Sequence, residues 1–256
     1  MKIEDLISPT GYLVDLVIPT KNEEKYIGKT LMMLSRQTWY MKGLVRVIIA
    51  DYNPYDEPST TQVLGKEYKN VKIVNVHKEG IGHARNVGIL YGDAPFVISF
   101  DADSFYDRND AIAKMITPLI KDFEIKDSNP NKARLTVCNI RFDNDYKQQE
   151  EGQKDYTKLF MDSLNFITGI INIHMPFGMG SSMAFTRPTF DKLNGFRELS
   201  NVVGEDVDFA LRVCINFSIN AKKPINDVVV IASSRRHSKM IKDPSLFVDY
   251  NKTIRE

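Results

Sequence analysis

At 256 residues the chain is long enough for one domain with a full hydrophobic core or two small ones, and one is expected. Lys and Arg number 34 against 33 Asp and Glu, a net charge of +1, which excludes a general electrostatic grip on nucleic acid and leaves any basic patch local. The two cysteines, Cys138 and Cys214, lie in apolar surroundings without metal-ligand spacing and read as buried thiols of a reducing compartment.

The N-terminal stretch carries acidic residues inside its first apolar run and lacks a signal-peptide core, so cytoplasmic synthesis without export is expected. No apolar run approaches the roughly 20 residues that span a bilayer. The first strand is expected at Leu13–Ile18, ended by Pro19. Asn22, Glu23 and Glu24 then open a helix whose Ile27, Leu31 and Leu34 recur at the spacing of a buried face. A second strand follows at Leu44–Ala50, a turn-rich stretch with two prolines at Asp51–Ser59, and a third strand at Val71–Val76. Ile81–Leu90 reads as a helix, Phe96–Phe100 as a fourth strand and Asp110–Phe123 as a helix. This alternation of short β-branched runs with helical patterns predicts a parallel α/β sheet. A charged loop at 126–132 marks a subdomain boundary. Beyond it come a strand at Arg134–Arg141, a helical run at Tyr156–Ile173, a strand-like Ser181–Phe185, an amphipathic helix at Val207–Phe217 and a late strand at Val228–Ala232.

Chemistry concentrates at Asp101-Ala102-Asp103, which directly follows the apolar run 96–100. A buried strand ending in two acids one residue apart delivers carboxylates to a sheet edge, where a divalent cation can sit between them and a phosphate. Two other Asp-x-Asp pairs lack that context. Asp143 and Asp145 lie in a polar turn, and Asp206 and Asp208 lie on a helix, where residues two apart diverge by roughly 200°.

Four elements in order then make a pattern: Val17-Ile18-Pro19-Thr20-Lys21-Asn22-Glu23, Ile48-Ile49-Ala50-Asp51, Gly82-His83-Ala84-Arg85-Asn86 and Phe100-Asp101-Ala102-Asp103. Downstream stand Gly180–Phe185 with Gly195-Phe196-Arg197-Glu198, and Gly204-Glu205-Asp206-Val207-Asp208 leading to Leu211-Arg212. Together, over about residues 12 to 215, they resemble the family-2 glycosyltransferases of the GT-A fold. The resemblance implies a single Rossmann-like α/β domain over 1–256, with a mixed, mostly parallel sheet flanked by helices. Residues 12–125 would be its nucleotide-binding half and 133–256 its acceptor-binding half.

The resemblance also implies an enzyme of the hexosyltransferase class, inverting and metal-dependent. It would move a sugar from a nucleoside-diphosphate donor, UDP or GDP, to a hydroxyl of a glycan, lipid-linked or protein acceptor. The expected cofactor is Mn²⁺ or Mg²⁺, because a hard cation neutralises the departing diphosphate. By resemblance Asp103 is the direct metal ligand, and Asp101 contacts ribose or metal-bound water. Asp51 reads the base, with Pro19, Thr20, Glu23 and Ala102 lining the nucleoside. Asp51 departs from the family pattern in its successors Tyr52, Asn53, Pro54 and Tyr55, which leaves the base open. Arg85 stands at a helix start, either as a phosphate or nucleoside contact or as a solvated helix face. An inverting transfer needs a base opposite the leaving group, and Asp206 takes that role by resemblance, with Glu205 the alternative. Both acids also suit a helix N-terminus with no catalytic purpose.

His237 within Arg235-Arg236-His237-Ser238-Lys239 reads either as a late metal ligand in a loop closing over the diphosphate or as a surface residue. The apolar stretch Leu164–Gly180 reads either as a core helix or as a surface touching lipid, which would make the enzyme membrane-peripheral. Three rivals are weaker. A dehydrogenase fits Gly80-Ile81-Gly82 but has Arg85 where a third small residue must pack. A nucleotidyltransferase of related fold would open on a glycine-rich basic loop, whereas Pro19–Glu24 is acidic. A nucleotide-sugar-binding module would not need both Asp103 and Asp206.

Overall fold

The structure, a computed structural model, describes residues 2–55, 59–143, 180–198 and 204–233. The expected helical run 156–173, the apolar residues 164–179 and the loop carrying Arg235, Arg236, His237 and Lys239 lie outside the described residues, as does Asp145.

The strands are β1 (Val14–Thr20), β2 (Val45–Tyr52), β3 (Val71–Val76), β4 (Phe96–Ser99), β5 (Ser104–Tyr106), β6 (Leu135–Phe142), β7 (Met183–Thr186) and β8 (Lys222–Ala232). They form one sheet in the order β3-β2-β1-β4-β7-β6-β8-β5. The first four run parallel, β7 is antiparallel to β4 and β6, β6 and β8 are parallel, and β5 closes the far edge antiparallel to β8. The helices are α1 (Ile27–Ser35), α2 (Thr38–Met41), α3 (Thr60–Lys66), α4 (Ile81–Tyr91), α5 (Ala111–Lys121), α6 (Arg187–Lys192) and α7 (Glu205–Asn216). This is the mixed, mostly parallel sheet with flanking helices that the sequence led us to expect.

Alternation along the strands divides the apolar side chains between two cores. Leu16, Ile18, Val47 and Ile49 face Ile27, Leu31 and Leu34 of α1, Tyr40 of α2 and Ile112, Met115 and Leu119 of α5. Val17, Ile48 and Val97 face Ile89 of α4, Phe190 of α6 and Phe209 of α7. In this second core the rings of Phe185 and Phe196 pack on Phe209 with centroids 4.8 and 4.5 Å away. Each such buried ring contributes roughly 1.5–3 kcal/mol. α4 lies close enough to the sheet that a Cβ at Gly88 would come within 2.5 Å of Val17 Cγ1 and 3.2 Å of Ala50.

Three boundaries differ from the sequence expectation, and four short elements were absent from it. Pro19 does not end β1: it pairs with Ala50, and Thr20 pairs with Asp51. The β4 ladder stops at Val17–Ser99, so no neighbour on that side needs the missing proline N–H. Asn22–Glu24 do not begin the helix. Asn22 is left-handed at φ 56°, the Glu23 carbonyl closes a turn by accepting from the Tyr26 and Ile27 amides, and α1 starts at Ile27. The short helices α2, α3 and α6 and the strand β5 were not foreseen. β8 begins at Lys222, not Val228, because its polar first half pairs with β6 before a register shift carries the pairing from Ile225 to Val229.

At the N-terminal edge of the sheet, Asp15 of β1 is completely buried. It accepts from Arg46 Nε at 2.7 Å, Arg187 Nη2 at 2.8 Å and the Ala94 amide at 2.9 Å. Arg46 also reaches Asp93 at 2.6 Å. Burial raises the Asp15 pKa despite these cations. This network ties β1, β2 and α6 together far from the other sheet edge, where the acids of interest gather.

Candidate active site

The C-terminal ends of parallel strands point the same way, and ligands bind in the crevice outside them. β1 ends in Pro19 and Thr20, β2 in Asp51 and Tyr52, and β4 leads through Phe100 into Asp101-Ala102-Asp103. Phe100 N still donates to Val17 O at 3.0 Å, and Ser104 N donates to Asp101 O at 3.3 Å, so the triplet is a tight turn between β4 and β5. Thr30 of α1 fixes this turn from below. Its buried hydroxyl lies 2.7 Å from Ala102 O and 3.1 Å from Ser104 O. Ala102 packs inward, while Asp101 and Asp103 on either side are half-buried.

Arg85, the fifth residue of α4, is only 2% exposed, which removes the reading of a solvated helix face. Its Nη2 donates to Asp101 Oδ1 at 2.9 Å, and its Nε lies 3.0 Å from Glu205 Oε1 at the start of α7. Nη1 donates to the Ser99 hydroxyl and, at 3.2 Å, to the Gly180 carbonyl. Burial works against the charge, and the carboxylates of Asp101, Glu205 and Asp206 more than offset it, so the pKa is raised. The guanidinium joins the strand-end acid to the acid pair of α7.

Asp206 holds the same residue, Gly180, by its amide. Its Oδ2 accepts from Gly180 N at 2.6 Å, and its Oδ1 accepts from Val207 N at 2.7 Å. Burial first, then the adjacent Glu205 charge, raises the Asp206 pKa above the usual aspartate range, with Arg85 pulling the other way. A Cβ at Gly180 would overlap the Arg85 guanidinium. Asp208 points away, accepting from Arg212 Nε at 2.6 Å and Arg197 Nη1 at 3.2 Å. Arg212 in turn donates to the carbonyls of Leu193 and Gly195 at 2.8 Å. Asn86 grips the neighbouring backbone at two points, both 2.8 Å, through the amide and carbonyl of Phe196.

Asp51 is buried and forms a separate group with Thr20, whose hydroxyl donates to its Oδ1 at 2.6 Å. Ser59 and Gln62, not singled out in the sequence, donate to its Oδ2. Glu23 is buried beside the turn that precedes α1. At the rim, His83 Nδ1 lies 2.8 Å from Glu198 Oε1, and Lys78 pairs with the other Glu198 oxygen. Lys78 first, then His83, holds the Glu198 carboxyl below its usual range. Lys21 pairs with Glu79 and sits 5.3 Å from the Tyr52 ring centre.

Two polar residues that hold the site, Ser99 and Thr30, had no signal beyond being hydroxyls inside apolar runs. Among the described residues no cluster of three or more His, Cys, Asp or Glu is placed to bind a metal by itself. The donor set at the turn, two carboxylates one residue apart, still fits a hard cation. Mn²⁺ and Mg²⁺ sites are commonly built from one or two carboxylates completed by substrate phosphates and water. His237 lies outside the described residues.

The Glycosyl transferase family 2 model matches residues 15–175. Those bounds include Asp51, Arg85, Asp101 and Asp103, whereas Glu205 and Asp206 lie beyond them. Comparison with curated proteins finds no match. Among solved structures, the mannosyltransferase PcManGT from Pyrobaculum calidifontis, in complex with GDP-Man and Mn²⁺, superposes with a TM-score of 0.64 at 20% identity, over 97% of this chain and 66% of that one. TarS 1–349 of S. aureus superposes with a TM-score of 0.60 at 17% identity, over 86% of this chain and 60% of that one. Its complex with UDP-GlcNAc gives 0.58 at 16% identity, over 84% and 57%. At such identities the likeness carries the fold, and the chain spans less than two thirds of these proteins. No helix among the described residues is long and apolar enough to cross a membrane.

Proposed function

The chain belongs to glycosyl transferase family 2, and from that membership we propose that it is a metal-dependent, inverting glycosyltransferase using a nucleoside-diphosphate sugar. Residues 12–125 supply the nucleotide half and 133–256 the acceptor half. The observation that carries the reading is Arg85, which joins Asp101 at the end of β4 to Glu205 at the start of α7. Donor-side and acceptor-side acids are thereby held at one sheet edge.

Asp103, with Asp101, would hold Mn²⁺ or Mg²⁺, which when bound neutralises charge on the departing diphosphate. Pro19, Thr20 and Glu23 line the nucleoside beside the base contact Asp51, and Ala102, whose side chain packs inward, borders it through the backbone of the turn. Arg85 supplies a fixed positive charge beneath the diphosphate side rather than a swinging phosphate ligand, because it is buried and its two Nη atoms are held by Ser99, Gly180 and Asp101. Asp206 takes the proton of the acceptor hydroxyl as that oxygen attacks the sugar. Two backbone amides hold its carboxylate, and its raised pKa brings it nearer the range of a working base. Glu205, turned toward Arg85, is left with a positioning role. The GDP-Man and UDP-GlcNAc bound to PcManGT and TarS support a nucleotide-sugar donor. A glycan, lipid-linked or protein acceptor is proposed, reached either from the cytoplasm or at a membrane surface.

Asp206→Asn tests the assignment. The variant is expected to bind donor as the wild type does and to lose at least about a hundredfold in transfer. Transfer at a near wild-type rate would place the base elsewhere.

A further inference from the structure

The two oxygens of Asp51 are unequally occupied. Oδ2 accepts from the Ser59 hydroxyl at 2.5 Å and from the Gln62 amide at 3.2 Å. Oδ1 accepts from Thr20 Oγ1 at 2.6 Å, its one donor among the described residues. Each carboxylate oxygen offers two lone-pair positions. Oδ2 is therefore filled, and Oδ1 keeps a single position.

α3 builds this asymmetry. Ser59 is its N-cap, and the hydroxyl oxygen accepts from Gln62 N at 3.1 Å, which leaves the hydroxyl proton for Asp51. Gln62, on the first turn, reaches the same carboxylate oxygen with its side-chain amide. Thr20 is fixed opposite by the β1–β2 register, where it pairs with Asp51.

Bases differ in what they bring to such an acceptor. Uracil and thymine present one ring N–H between two carbonyls. Guanine presents a ring N–H with an exocyclic amine beside it, a pair of donors suited to both oxygens of one carboxylate. With Oδ2 filled, the second guanine donor would be left without its acceptor. A buried unpaired donor lowers affinity by about tenfold or more.

We propose that Ser59 and Gln62 are specificity-determining residues. By filling Oδ2 they leave Asp51 one acceptor position, which selects nucleoside diphosphates bearing a single imide N–H, uracil or thymine, over guanine. The inference rests on the reading of Asp51 as the base contact.

Titration calorimetry on the full chain with Mn²⁺ tests it, using uridine, thymidine and guanosine diphosphates against wild type, Gln62→Met and Asp51→Ala. Gln62→Met keeps the length and helix preference of the side chain and frees one position on Oδ2. Wild type is expected to bind uridine or thymidine diphosphate about tenfold tighter than guanosine diphosphate. Gln62→Met should shrink that preference to about threefold or less, with an unchanged melting temperature confirming the fold. Comparing the uridine and thymidine arms identifies which pyrimidine is preferred. Equal or tighter guanosine diphosphate binding, weakened by Asp51→Ala, would overturn the selectivity and leave Asp51 as the base contact. An unchanged preference in Gln62→Met would overturn the role of Gln62. Unchanged affinities in Asp51→Ala, or no binding of any of the three, would overturn both the inference and the reading beneath it.

Discussion

Arg85→Met removes the cation that joins the two halves of the site and nearly preserves its volume. The guanidinium is 2% exposed and faces Asp101, Glu205, the Ser99 hydroxyl and the Gly180 carbonyl. Asp101, about a third exposed, can recover water, but Glu205, with 11% of its side chain exposed, cannot. Stranding one buried charge costs about 3–5 kcal/mol. That is a large part of the roughly 5–15 kcal/mol that holds a domain of this kind together. Arg85→Lys keeps the charge but has too few donors for four acceptors, and should cost about 1–3 kcal/mol. Urea unfolding followed by circular dichroism reads both values from the midpoints at constant slope. Adding Glu205→Gln to Arg85→Met should recover about 1–3 kcal/mol, since it neutralises the stranded acid. Arg85→Met within 1 kcal/mol of wild type, or no recovery in the double variant, would refute the account of Arg85 as the central cation.

The raised pKa of Asp206 makes two pH predictions. Because a base must be ionised, transfer should rise with pH through a value above the ordinary aspartate range, and pH–rate profiles should show that acid limb. The folded carboxyl also holds its proton to higher pH than the unfolded one. Its contribution to stability is therefore full below the unfolded pKa and is lost as pH rises through the folded one. Asp206→Asn should flatten that slope in denaturation curves taken across this window, and an unaltered slope would exclude the shift. At the opposite sheet edge, Asp15→Ala removes the carboxylate that Arg46 and Arg187 share, leaving Arg46 with Asp93 and Arg187 with the carbonyls of Ala94 and Ile89. It should lower stability by about 3–5 kcal/mol and leave the nucleotide affinity of the folded protein unchanged.

The parallel half of the sheet was legible because strands covered on both faces are written as short apolar runs, as at Leu16–Ile18 and Val47–Ala50. The strand-end acids Asp51, Asp101 and Asp103 followed from those runs. β8 was half hidden because Lys222, Lys223, Asn226 and Asp227 break the apolar pattern around a register shift. α3 was hidden by the two prolines before it, and with it went Ser59 and Gln62. Arg85 was visible as a charge at a helix start, but not as a buried one. Its burial depends on Asp101 and Glu205, which only the folded chain brings to it. Ser99 and Thr30 belong to the same class, because their bonds link elements far apart in sequence and leave no local pattern.

The proposed function stands most directly on metal-dependent donor binding at the turn after β4. Calorimetric titration of a uridine diphosphate sugar into the full chain, with Mn²⁺ and then with chelator, compares wild type with Asp103→Ala. Mn²⁺ is expected to tighten binding at least about tenfold, a gain of about 1.4 kcal/mol, and Asp103→Ala to abolish this gain. Equal affinity with and without Mn²⁺, or an undiminished metal effect in Asp103→Ala, would contradict it.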